Sequence, residues 1–398
     1  NEPEPGPEPG MNFRQLVLAA APMALLAAAC VSERPGSSFP DGEPDAQGAL
    51  GPDAGAKPSS DAGGDSPDSE PAAEPLTGIA SGAWSWVDFP GSACDDGSPT
   101  GIAVNPGTSG DLAIFLNGGG ACWDYLTCCV LETATRGPFG SAQFDAMRTS
   151  SLAGSILDRS LPGNPLRDAT LVFLPYCTGD LHAGENVITY EGNGVERVFR
   201  HVGRANIRAF VRRIAATWPA PARLVISGAS GGGYGAFLNY GEIRSRFPQS
   251  QAFLIDDSGP PIGLGPAPTA IIEAGFDHWR LDLLLDPLCG EPCHASFAPA
   301  LQALARKYPA DQFAFLSSLR DKVISNYYLL DGARFEQELL RTSAEVLAPL
   351  PNARFFFVPG DSHVMLTKPA SFTQGIPLLQ WLSLQLSGDA GWASQKPQ

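Results

Sequence analysis

From residue 112 onward the chain alternates between two hydrophobic patterns. Short unbroken apolar runs recur at 112–116 (LAIFL), 171–174 (LVFL), 224–226 (LVI), 252–255 (AFLI), 313–315 and 355–358. Runs of this length, continuous rather than alternating, suit strands covered on both faces. Between them apolar residues return at helical spacing, over 195–217, 234–247, 298–308, 334–348 and 372–386. Strand and helix in alternation predict an α/β fold whose mainly parallel central sheet is flanked by helices. Residues 259–291, rich in Pro and Gly, interrupt the pattern and read as an insertion on the substrate side. The sequence has no internal repeat.

The first 76 residues do not share this pattern. Residues 1–10 (NEPEPGPEPG) form a Pro/Glu extension ahead of Met11. Residues 11–30 read as an export signal: Arg14 supplies the positive start, and 16–29 (LVLAAAPMALLAAA) is apolar but too short to span a bilayer. The segment ends in LAAAC, which resembles a bacterial lipobox with Cys30 as the acylated residue. Residues 31–76 then read as a disordered tether rich in Pro, Gly, Ser and Asp. The globular domain is expected over 77–398, in an exported protein held at the cell envelope through Cys30.

Charge fits this division. The net charge is −16, yet residues 31–75 alone hold ten Asp/Glu against two Lys/Arg. The domain is therefore only mildly acidic and has no basic stripe for nucleic acid. Beyond Cys30, seven cysteines remain. In an exported chain they are expected as disulfide partners rather than zinc ligands, since no histidine set accompanies them at zinc-finger spacing.

The chemistry centres on VISGASGGGYG at 225–235. A strand, then Gly228-x-Ser230-x-Gly232, then a helix is the order that a sharp nucleophile-bearing corner requires. The helix start beneath Ser230 favours developing negative charge. A serine hydroxyl needs a base, and the chain offers His182, His201, His278, His294 and His363. His363 follows the last core strand, where the order serine, acid, histidine places the base. His182 is its rival, a candidate substrate contact that precedes the serine. His201 reads as a surface residue of a helix. His278 and His294 fall at the insertion.

Asp321, after the strand at 313–315, is the expected acid, either orienting the imidazole or capping a following helix; Asp256-Asp257 is the alternative. Oxyanion donors are expected from the amide of Gly231 and from the loop Asn117-Gly118-Gly119-Gly120-Ala121. That loop lacks the lysine and serine of a phosphate-binding loop.

Taken together these motifs resemble the pectin acetylesterase and Notum-like family of serine esterases. The matching pieces run in order: CDDGSPTG (94–101), FLNGGGACWD (115–124), FLPYCTGDLHAG (173–184), SGASGGG (227–233), DDSG (256–259), then Asp321 and His363. The resemblance covers roughly 78–387, with the insertion poorly matched. It implies an α/β-hydrolase-like fold, a Ser230–His363–Asp321 triad, and Gly119 and Gly231 as oxyanion donors. It also implies a Cys94–Cys177 disulfide and a Cys122–Cys128 bridge; Cys289–Cys293 pairs by proximity alone. Gly120-Ala121 departs from the bulky aromatic common in relatives.

The resulting expectation is a serine carboxylic ester hydrolase acting through an acyl-enzyme on acetyl or short acyl groups, as on a polysaccharide. It is expected to work as a monomer and without metal or cofactor. Gly120, Asp180, His182, Asp257 and Trp279 are candidate substrate contacts. Longer acyl chains are the alternative, with Trp279 lining the pocket; a catalytically silent surface protein that binds glycans or acylated ligands is the non-enzymatic one.

Overall fold

The computed structural model describes residues 73–263 and 269–398. The expectations for the extension, the export signal, Cys30 and the tether up to residue 72 lie outside the described residues. Within them the expected α/β architecture is present as one eight-stranded sheet. Its strands are β1 (Ser85–Phe89), β2 (Thr100–Asn105), β3 (Leu112–Leu116), β4 (Thr170–Leu174), β7 (Arg223–Ala229), β8 (Gln251–Asp257), β9 (Gln312–Ser318) and β10 (Ala353–Val358). They stand in the order β1-β2-β4-β3-β7-β8-β9-β10. From β4 through β10 every pairing is parallel; β1–β2 and β2–β4 are antiparallel.

The apolar runs are continuous because both faces of the sheet are covered. In β3, Leu112, Ile114 and Leu116 join one hydrophobic cluster while Ala113 and Phe115 join the other. Helices that contribute apolar side chains to the first cluster include α2 (Gly203–Thr217), α3 (Gly231–Leu238), α7 (Ala298–Lys307) and α9 (Gly332–Thr342). The second draws Phe144 from α1 (Ser141–Arg148) and Leu378, Trp381, Leu382 and Leu386 from α10 (Leu378–Ser387). Fully burying such a side chain contributes about 1.5–3 kcal/mol, so the two clusters dominate stability.

Three expectations need correction. Residues 195–217 are not one helix: β5 (Asn186–Gly192) and β6 (Val195–His201) form an antiparallel hairpin, and α2 starts only at Gly203. The apolar residues Val195, Val198 and Phe199 mimic helical spacing, but Asn193-Gly194 with both φ angles positive makes a two-residue hairpin turn. His201 is consequently buried on β6, with Nδ1 2.8 Å from Thr178 O and Nε2 2.9 Å from Tyr190 Oη. The insertion is not irregular throughout, since α5 (Ala270–Ala274) and α6 (Asp282–Cys289) lie in it. The helical stretch after residue 233 is split, α3 ending at Leu238 and α4 running Tyr240–Ser245.

Disulfides join Cys94–Cys177, Cys122–Cys128 and Cys289–Cys293. The first ties the start of the domain to the loop after β4, which matters for the site.

Candidate active site

The candidate residues gather at the carboxyl ends of the parallel strands, the edge where open α/β sheets carry ligands. Ser230 follows β7 directly and caps the N-terminus of α3 with φ 58° and ψ −124°, a strained conformation for a non-glycine residue. The flanking glycines are explained by close approach. A Cβ on Gly228 would overlap the backbone of Gly232, and one on Gly232 would overlap Leu116 O and Asn117 O. G-x-S-x-G is thus what lets β7, β3 and α3 meet at one corner.

His363 comes from the loop after β10. Its Nδ1 lies 2.8 Å from Asp321 Oδ2 and 3.0 Å from Oδ1. A carboxylate only accepts, so Nδ1 carries the proton and Nε2 presents a lone pair. Asp321 is fully buried after β9. Its Oδ1 also accepts from Val323 N (3.0 Å) and Ile324 N (3.1 Å), the first turn of α8 (Lys322–Tyr327). The two readings of Asp321, helix cap and imidazole partner, are met by one carboxylate.

Ser230 and His363 line a common cavity of about 420 Å³ with Asn117, Gly118, Gly119 and Gly120. Among the described residues the Ser230 hydroxyl makes no hydrogen bond, and Ser230 and His363 are both lining residues of this cavity. No Lys, Arg, Asp or Glu among the described residues lines the cavity. The N–H groups of Gly119 and Gly231 also have no acceptor among the described residues, while Gly119 O accepts from Thr135 N (2.6 Å). A second, apolar hollow of only about 10 Å³ shares Gly120, Ser230 and Tyr327 with the cavity and is lined further by Ala121, Leu181, Tyr234 and Ile271. A hollow of that size accommodates about one water-sized group.

The other candidate contacts are placed differently. Gly120 lines the cavity, and a side chain there would overlap Thr133 O and Tyr327 Oη, which accounts for the missing aromatic. Asp180, His182, Asp257 and Trp279 are buried and bonded to the scaffold, which corrects the expectation that they touch substrate. Trp279 Nε1 donates to Cys122 O (3.1 Å), so it forms no acyl wall. Asp257 is not the acid of the site: its Oδ2 accepts from Met365 N (2.6 Å) and Leu366 N (2.7 Å), holding the chain just beyond His363. Burial raises its pKa to about 6.

Sequence reasoning missed Ser258, whose Oγ accepts from Val364 N (3.2 Å), and Tyr327, whose hydroxyl donates to Thr133 O (2.5 Å) and accepts from Ala121 N (3.2 Å). DDSG at a strand end was a visible signal for the first. Nothing in sequence announces the second, because its partners lie about 200 positions away.

A serine on a strained strand-to-helix corner, over a mainly parallel sheet covered on both faces, defines the α/β-hydrolase class of fold. Residues 86–260 match the family model described as Pectinacetylesterase. The chain is 26% identical over 207 residues to the human palmitoleoyl-protein carboxylesterase NOTUM, covering 47% of this chain and 40% of that protein. The Xenopus laevis palmitoleoyl-protein carboxylesterase notum1' matches at 26% over 207 residues, covering 47% and 41%. The Schmidtea mediterranea NOTUM matches at 27% over 177 residues, covering 40% and 30%. The chain is thus similar, over residues 86–260, to the pectinacetylesterase and Notum-like family, and its matched region spans about 40% of the length of the human relative.

Proposed function

We propose that this protein is a serine carboxylic ester hydrolase that removes acetyl or another short acyl group from an extracellular substrate such as a polysaccharide. The observation that carries the reading is the strained Ser230 corner opening onto the same cavity as an imidazole already oriented by a buried carboxylate. Ser230 Oγ attacks the ester carbonyl while His363 Nε2 takes its proton; the short Oγ–Nε2 hydrogen bond forms as substrate settles. Asp321 holds the Nδ1–H tautomer and stabilises the imidazolium. The N–H groups of Gly119 and Gly231 receive the oxyanion, a donor of this kind contributing about 2.7–4 kcal/mol. Collapse breaks the ester C–O bond, His363 returns the proton to the leaving alcohol, and water then hydrolyses the acyl-Ser230 ester by the same proton route.

The small apolar hollow lined by Ser230 supports a short acyl group, and the uncharged cavity supports a neutral substrate portion near the ester. A second reading, a longer acyl chain, draws on the apolar wall of the larger cavity at Phe115, Met147, Leu152 and Val323. Three disulfides support an oxidising compartment. Export with lipid attachment at Cys30 belongs to the same proposal and draws on the apolar stretch that ends there.

The test is hydrolysis of p-nitrophenyl esters from acetyl to octanoyl, alongside acetylated pectin and xylan. Wild type should turn over acetate fastest, and Ser230→Ala should lose about 10⁴–10⁶-fold in kcat. Equal rates for the two proteins would end the Ser230 mechanism. A kcat/KM that climbs to octanoyl would replace the short-acyl reading with the long one.

A further inference from the structure

Gly119 and Gly231 reach one oxygen only if two separate segments keep a fixed spacing: the loop after β3 and the corner after β7. The seam between them lies at Asn117 O, which packs against Gly232 so closely that no Cβ fits there. One side chain grips this carbonyl. His182 Nε2 lies 2.8 Å from Asn117 O, and since a carbonyl only accepts, the imidazole donates. The ring packs 4.7 Å from the ring of Tyr176, centroid to centroid, and also lies against Gly235 of α3, where an added Cβ would crowd its Cδ2. His182 therefore touches the oxyanion loop and the serine-bearing helix at once.

Its own placement is heavily determined. Leu181 and His182 are consecutive non-glycine residues with φ of 56° and 58°, an uncommon and costly pair. The strain is held by Leu181 N donating to Tyr176 Oη (2.8 Å), His182 N to Asp180 Oδ1 (3.1 Å) and Asn239 Nδ2 to His182 O (3.0 Å). Asp180 is fixed in turn by Thr178 Oγ1 (2.6 Å) and Gly203 N (2.8 Å). Tyr176 Oη then donates to Gly120 O (2.9 Å). The segment after β4 thus grips the oxyanion loop at both ends, Asn117 and Gly120. Only 3% of His182 is exposed and it does not line the cavity, so it is not a second base. Burial holds its pKa below the usual imidazole value, leaving a neutral ring whose one N–H goes to Asn117.

We propose that His182 is a positioning residue: its Nε2–H, by fixing Asn117 O against Gly232, sets the spacing between the Gly119 and Gly231 donors. This rests on the esterase reading above. A group that acts only on the oxyanion geometry alters transition-state stabilisation and leaves ground-state binding alone.

The experiment compares wild type, His182→Phe, which keeps the ring but loses the N–H, and His182→Gln, whose Nε2 can replace the imidazole donor. With p-nitrophenyl acetate, and rates normalised to serine titratable by a fluorophosphonate, His182→Phe should lose about 10–100-fold in kcat with KM within about twofold. Its affinity for an alkylboronic acid, which forms a tetrahedral adduct on serine, should fall by the same factor as kcat/KM. His182→Gln should recover most of both. Wild-type kcat per titratable serine in His182→Phe would overturn the proposal, as would a loss of kcat without loss of boronate affinity. Should His182→Phe not fold, Tyr176→Phe releases the other end of the loop at Gly120 O and must show the same parallel loss; unchanged values there overturn it. A wild type that is inactive and indistinguishable from Ser230→Ala removes the esterase reading itself, and this inference with it.

Discussion

On the serine side of the site, geometry is enforced by contact. Gly228, Ser230 and Gly232 are packed so that backbone meets backbone, and the strained φ of Ser230 is kept because the neighbouring chain has nowhere else to go. On the histidine side it is enforced by hydrogen bonds from distant strands. Asp321 after β9 holds the ring, while Asp257 and Ser258 after β8 hold Val364, Met365 and Leu366. The serine corner is steric and all-or-none. The histidine loop is polar, long-range and graded. In the proposed mechanism a nucleophile is presented rigidly at one point, whereas the imidazole rocks between Ser230 and the leaving oxygen, which a set of adjustable bonds permits.

The contrast can be broken in order of expected effect. Asp321→Asn should cut kcat by about 10³–10⁴-fold, because an amide favours the wrong imidazole tautomer. Its thermal midpoint should change little, since Asn also caps helices well; a large fall in midpoint would mean the carboxylate is chiefly structural. Gly232→Ala should destabilise the fold by about 3 kcal/mol or more, because only backbone atoms confront the new methyl and none can swing aside. Ser258→Ala, on the graded side, should cost only about 1 kcal/mol. Denaturant unfolding of both variants measures the difference, and equal losses would erase the distinction.

The smallest effect is pH-dependent. Burial lifts Asp257 from 3.8 to about 6, so between these values the folded protein binds the proton more readily than the unfolded chain. Its contribution to stability is therefore greatest below pH 4 and declines as pH rises towards 6, with a slope of at most about 1.4 kcal/mol per pH unit. Asp257→Asn removes that slope, so the variant should gain on wild type from pH 4 to 6. A difference constant over that range would mean that Asp257 titrates normally.

How much of this was legible beforehand depends on the range of each interaction. The apolar runs gave six of the eight central strands, because burial on both faces leaves a local compositional mark. β1 and β2, whose polar residues break the run, did not stand out. Residues of the β5–β6 hairpin imitate a helix because Val195, Val198 and Phe199 fall at a deceptive spacing, while the Asn193-Gly194 turn marks the hairpin. Ser230, Asp321 and His363 could be placed at strand ends in the right order. What His182, Asp257 and Trp279 do could not, since each is decided by partners at Asn117, Met365 and Cys122.

By itself the sequence determined the α/β alternation, the glycine corner that can hold a serine in a strained turn, and a histidine and an aspartate after late strands. Those properties reside in neighbouring residues, where φ, burial period and side-chain volume act locally. Only the tertiary structure decided that His182 faces the scaffold rather than a substrate, that Asp257 secures the histidine loop, and that the apolar hollow lined by Ser230 is small. These depend on which strand ends become neighbours, and an eight-stranded sheet brings together residues that the chain keeps a hundred or more positions apart.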